Sequence, residues 1–188
     1  QQADGSADLS SVWSVARDIG RFMNTPKIVV MKSTVPVGTC ERVKELIQRS
    51  LQKKGLYFAV ASNPEFLQEG SALKLFLQPD RVIVGVENAH TARVLTKLYQ
   101  PITSSKRPLV VTDLRSAELI KYASNAFLAT KISFANAISK LAEKAGANGP
   151  DALRGIGLDK RIGQAFLNAG AGYGGSCFEA DETIFALN

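Results

Sequence analysis

Residues 172–181 read GYGGSCFEAD, a cysteine behind paired glycines with a carboxylate four positions later. Gly174 and Gly175 accept backbone angles closed to residues with a Cβ, and a helix is expected to begin directly after them. A thiol at a helix N-terminus faces unpaired N–H groups and the positive end of the helix dipole, which favour the thiolate. Cys177 is therefore a candidate covalent nucleophile. Asp181, one turn on, shares its expected face and could orient a water or accept a proton. The competing reading is a buried structural cysteine in a glycine turn. For Cys40, within an ordinary helix start, that plainer reading is the better one.

Two further polar pairs repeat the four-residue step. Lys121 and Asn125 are expected to project together from an otherwise apolar helix, where a cation and an amide stabilise negative charge developing on oxygen. The alternative is a solvated helix face. Glu65 and Glu69 follow a strand ending at residues 61–62, and in open parallel sheets ligands bind beyond the carboxyl ends of strands. Ser33, Thr34 and Val35 leave the preceding strand at the equivalent place. The stretch from Ser33 to Gly38 offers hydroxyls and a helix N-terminus to an anion, although an ST-turn and a helix cap explain Ser33 and Thr34 equally well. His90, the single histidine, lies in a surface-like Glu-Asn-Ala-His-Thr stretch and takes no role.

An alternation of helices and strands must position these groups. Residues 8–23 read as a helix with Asp8 or Ser10 as cap, and 38–54 as an amphipathic helix closed by Gly55. Residues 27–32, 56–61, 81–86 and 109–111 read as short strands. Strands this apolar, separated by helices, predict a mainly parallel α/β sheet covered on both faces. Residues 113–145 contain neither proline nor glycine. As one helix they would extend about 50 Å. Their apolar residues lie on more than one face, so the helix is expected to run through a larger protein or against a copy of itself. A kinked pair of shorter helices is the alternative. Residues 181–187 also read as helix.

Composition narrows the function classes. The 188 residues, 45% apolar, suffice for one substantial core or two partial ones. No apolar run approaches the roughly 20 residues that span a bilayer, and no basic-then-apolar secretory leader is expected at the start. Two distant cysteines and one histidine make neither a disulfide framework nor a zinc site, so a reduced, cytoplasmic setting without metal is expected. The net charge of +6 suggests anionic partners. The basic residues are dispersed, and aromatics do not interleave with them as a stacking platform for nucleic acid requires. A phosphate-bearing small molecule or cofactor fits the charge instead. A sheet of this kind usually opens with a strand and a Gly-rich phosphate loop. Here the opening is QQADGSADLS, and the chain is expected to be an internal piece of a longer polypeptide.

Taken together, KSTVPVGT (32–39), SNPEFLQEGSA (62–72), PDRVIVG (79–85), AELIKYASNAFLATKISFANAI (117–138) and RIGQAFLNAGAGYGGSCF (161–178) resemble the UDP-glucose dehydrogenase family. Its members oxidise UDP-glucose, UDP-N-acetylmannosamine or GDP-mannose. The resemblance implies the later part of a Rossmann-like NAD-binding domain over 1–112, then an all-α central dimerisation domain over 113–188 with one long helix. It implies oxidation of the sugar C6 alcohol to a carboxylate with two NAD. Cys177 matches the nucleophile that captures the aldehyde, and Lys121 and Asn125 match residues that stabilise oxyanions. Glu65 matches the acid/base of thioester hydrolysis, and Asp181 the carboxylate that assists water. Ser33, Thr34, Val35 and Glu69 match the cofactor side. Glu65, Phe66, Leu67, Lys121, Asn125, Arg161, Tyr173 and Gly174 match the nucleotide-sugar side, with UDP-glucose the expected substrate. The long helix matches the homodimer contact. Where the family usually reads Pro-Lys, this chain has Glu179 and Ala180. That departure keeps open a non-catalytic, dimerising remnant.

Overall fold

The structure, a computed structural model, describes residues 7–172. The chain divides into two compact units between Lys121 and Tyr122. In the first, α1 (Ser10–Phe22), β1 (Lys27–Met31), α2 (Thr39–Ser50), β2 (Phe58–Ser62), α3 (Ala72–Leu77), β3 (Val82–Val86), α4 (Ala89–Tyr99), a 3₁₀ turn (Gln100–Ile102) and β4 (Leu109–Thr112) precede α5 (Leu114–Ala145). The four strands form one sheet in the order β1-β2-β3-β4.

The sheet is parallel between β1 and β2 and between β3 and β4, and antiparallel between β2 and β3. The sheet is thus mainly parallel, as expected, with one antiparallel pair at β2–β3. A crossover helix must bury an apolar face on the sheet. The β2–β3 connection holds only α3, which buries none of its residues, so Leu73, Phe76 and Leu77 stay exposed. After that connection β3 runs back alongside the end of β2, with Val86 opposite Ala61 and Gly85 opposite Ser62.

Alternation along the strands feeds two cores. Val29, Met31, Phe58 and Val60 pack with Ala16, Val43 and Ile47 of α1 and α2. Ile28, Val30, Ala61, Val82 and Val84 pack with Leu95 and Tyr99 of α4. The expected covering of both faces thus holds for β2 and β3, whereas Val110 and Val111 of β4 are exposed. Helix α2 stops at Ser50, short of the expected residue 54. Gly55, with φ +79°, turns the chain toward β2 instead of closing the helix. Gly85 is required by close approach: a Cβ there would stand 2.6 Å from the Ala117 Cβ and 2.7 Å from the Asp113 carbonyl oxygen. That contact brings the first turns of α5 down onto β3.

Helix α5 is a single 32-residue helix rather than a kinked pair. In the second unit it is followed by α6 (Gly149–Gly157), which the Asn148 side chain caps by accepting from the Asp151 N–H. Ala129, Ala135, Ala142, Leu153 and Leu167 are buried there. The Lys131 ammonium donates to the Ile162 carbonyl at 3.0 Å, and the Gly170 N–H donates to Asn136 Oδ1 at 2.9 Å. Burial is not all round, however. Phe127, Phe134 and Leu141, seven residues apart, are 65%, 49% and 61% exposed. None of the described helices is long and apolar enough to cross a membrane.

Candidate active site

Beyond Ser62 the chain turns through Asn63, Pro64, Glu65, Phe66 and Leu67, with α5 beside it. One Glu65 oxygen accepts from the Leu67 N–H, which folds the carboxylate over its own turn. The other stands 3.7 Å from Lys121 Nζ. That separation is an ion pair without a direct hydrogen bond. Lys121 is 6% exposed, while the Glu65 side chain keeps 37% of its surface in solvent. A buried ammonium needs a counter-charge, and here the counter-charge also faces the outside. The ring of Phe66 completes the corner. The Arg81 guanidinium lies 4.0 Å from its centroid and the Lys121 ammonium 5.3 Å, both within cation–π range. The arrangement couples a carboxylate able to exchange protons with a cation able to stabilise an oxyanion.

The exit of β1 behaves differently. Ser33 is exposed, Thr34 is half-buried, and Val35 is buried, so Val35 turns its side chain to the core. The N-terminus of α2, expected to be open to an anion, is already taken. Glu118, 2% exposed, accepts from the Gly38 N–H at 2.7 Å and from the Cys40 N–H at 2.8 Å. The protein's own carboxylate thus fills the place of an external anion. Cys40 is fully buried. Burial drives its thiol far above the ordinary range, and the Glu118 hydrogen bond and charge add to the shift. Its structural reading stands.

The structure therefore brings Glu65, Phe66 and Lys121 into one corner. Leu67 and Glu69 are exposed in the turns that follow, and His90 is exposed at the start of α4. Asn125, four residues beyond Lys121 on α5, belongs to the second unit and is half-buried. Arg161, also in the second unit, is exposed and held by Asp159, its Nη2 donating at 2.6 Å. Tyr173, Gly174, Cys177 and Asp181 lie outside the described residues, as do Glu179 and Ala180. Among the described residues, no group of His, Cys, Asp and Glu could hold a metal.

Sequence reasoning missed three contributors. Glu118 lies three residues before Lys121 on α5, yet its partners are far upstream. Arg81 reads as the edge of a strand and serves as a stacking cation. Asn63 accepts from Lys32 Nζ at 2.8 Å and from the Tyr99 hydroxyl. Partial burial pulls the Lys32 ammonium below its ordinary value, and the Glu65 charge opposes that shift. The one signal available for Asn63 was its position at a strand end before a proline.

Comparison with known proteins extends these observations. The sequence model described as "UDP-glucose/GDP-mannose dehydrogenase family, NAD binding domain" matches residues 1–103, and that of the family's central domain matches residues 115–187. A UDP-glucose 6-dehydrogenase of Rickettsia bellii is 51% identical over 187 residues, which is 100% of this chain and 42% of that protein. The structure of a UDP-glucose dehydrogenase from the archaeon Pyrobaculum islandicum superposes with a TM-score of 0.92 at 45% identity, covering 99% of this chain and 43% of that one. A GDP-mannose dehydrogenase of Pseudomonas aeruginosa follows at a TM-score of 0.79 and 31% identity, covering 100% of this chain and 44% of that one. The chain thus spans about two fifths of the length of the curated relatives it matches.

Proposed function

The chain belongs to the UDP-glucose/GDP-mannose dehydrogenase family, and from that premise we propose that the protein carrying it oxidises UDP-glucose at C6 to UDP-glucuronate with NAD, this chain being the central part. The observation that carries the reading is the Glu65–Lys121 pair at the exit of β2, a carboxylate 3.7 Å from a buried ammonium. The choice of UDP-glucose rests on higher identity to proteins of that name than to the GDP-mannose enzyme. The functional division after Thr112 is supported by where the two family models end and begin.

In this reading the Cys177 thiolate adds to the C6 aldehyde to give a thiohemiacetal, whose oxidation leaves a thioester for water to cleave. Lys121 and Asn125 stabilise the oxyanions, while Glu65 and Asp181 move the protons of the hydrolytic water. Phe66, Leu67, Arg161, Tyr173 and Gly174 hold the nucleotide-sugar. When bound, NAD supplies the hydride acceptor. Ser33 and Thr34, with the Val35 backbone and Glu69, fit its hydroxyl- and amide-bearing end. The amides of Gly38 and Cys40 are closed to its phosphates by Glu118.

The test uses the full-length protein with UDP-glucose and NAD. Acid should form with two NADH per sugar, and Cys177→Ala should abolish it. Acid formation unchanged by Cys177→Ala would sink the reading. No turnover in the unaltered protein would favour the dimerising remnant to which Glu179 and Ala180 point.

The protein is also read as a homodimer through α5. Support comes from the exposed stripe Ala123, Phe127, Thr130, Phe134, Ala137 and Leu141, spaced three and four residues apart as in a helix-pairing seam. Phe127→Glu combined with Phe134→Glu should yield a monomer by light scattering. An unchanged mass would assign the stripe to another contact.

A further inference from the structure

Asn63 is 1% exposed and lies where β1, β3 and α4 converge. Its backbone N–H donates to the Met31 carbonyl at 2.8 Å, which prolongs the parallel ladder by one step. Its side-chain amide is engaged at both ends. Nδ2 donates to the Ile83 carbonyl at 2.7 Å, and Oδ1 accepts from Lys32 Nζ at 2.8 Å and from the Tyr99 hydroxyl. A buried polar group satisfied on several sides is a rigid point, because every alternative arrangement leaves a donor or acceptor unpaired.

That rigid point stands two residues before Glu65. Pro64 lies between them with its φ fixed by the ring, and a residue before proline is itself confined to extended angles. Few soft rotations therefore separate the amide clamp from the carboxylate. On the other side of Glu65, Phe66 is held against Arg81. Lys32, Asn63, Glu65, Phe66, Arg81 and Tyr99 all line one cavity of about 220 Å³.

We propose that Asn63, clamped by Lys32 and Tyr99, is a positioning residue that sets Glu65 against Lys121. The inference rests on the reading of Glu65 as the acid/base. It predicts that loosening the clamp acts on turnover through Glu65, with binding of the cofactor spared.

The experiment is a double-mutant cycle in the full-length protein, assayed with UDP-glucose and NAD. Tyr99→Phe, which keeps the ring, should lower kcat about tenfold, and Asn63→Ala about a hundredfold, as a misplacement near 1 Å does. KM for NAD should stay within about twofold, since only transition-state interactions are lost. In a Glu65→Gln background the Tyr99→Phe loss should shrink below about twofold, because coupled residues are not additive. Losses that multiply in the double variant, or a Tyr99→Phe enzyme with unaltered kcat, overturn the inference. A silent Glu65→Gln overturns the acid/base reading beneath it. Should Asn63→Ala fail to fold, Tyr99→Phe alone decides.

Discussion

At the exit of β1, Glu118 reaches in from α5, loses contact with solvent, and is consumed by two backbone amides at 2.7 and 2.8 Å. At the exit of β2, Glu65 keeps more than a third of its side chain in water and meets Lys121 at 3.7 Å. Both carboxylates act at the carboxyl ends of strands, and Glu118 and the Lys121 that faces Glu65 lie about one turn apart on α5. Hydrogen bonding separates them. A carboxylate saturated by amides stabilises the helix it caps and has little left for a ligand. A carboxylate that accepts a single amide, from Leu67, and meets its cation without a direct hydrogen bond keeps more than a third of its side chain in water and remains able to exchange a proton.

Substitutions sharpen that contrast on the stability axis. Glu118→Ala should have the largest effect, lowering unfolding free energy by about 4 kcal/mol, because two amide donors lose charged partners in a buried place. Chemical denaturation reads this directly, and a loss below about 1 kcal/mol would mean water replaces the carboxylate easily.

Cys40 gives a smaller, pH-dependent effect at the same exit. Its folded thiol is held above the ordinary value of 9.0, chiefly by burial. The unfolded thiol therefore ionises first, so the associated stability is complete below pH 9.0 and declines as pH rises above it. By one pH unit higher the loss should reach about 1.4 kcal/mol. Melting curves of the wild-type protein and Cys40→Ala should diverge in slope above pH 9.0, and parallel slopes would show that the thiol is wetter than its burial implies.

Glu65→Gln should move stability least, by about 1 kcal/mol, while turnover falls. It removes the counter-charge of the buried Lys121 ammonium, but the half-exposed side of the pair lets water screen part of the loss. A stability loss as large as that of Glu118→Ala would erase the distinction between the two exits.

The residues themselves show why some groups at these exits were legible in the sequence and others were not. Glu65, Lys121 and the hydroxyls of Ser33 and Thr34 were legible because each stands at a strand end or on a long helix, and those elements follow from local pattern. Strand runs such as residues 82–86 and the Gly- and Pro-free stretch 113–145 are set by neighbours two to four positions away. The burial of Cys40 was legible for the same reason.

Three things required the fold. The antiparallel β2–β3 pair could not be read from α3, whose apolar Leu73, Phe76 and Leu77 stay exposed instead of covering the sheet. Glu118 found its amides 78 and 80 residues upstream. Asn63 met Lys32 and Tyr99 at separations of 31 and 36 residues. The chain alone therefore determined which elements form and which side chains leave them at the strand exits. Whether an exit carboxylate becomes a cap or stays available was decided by what tertiary packing placed opposite it, since a hydrogen bond between distant residues leaves no periodicity in either segment.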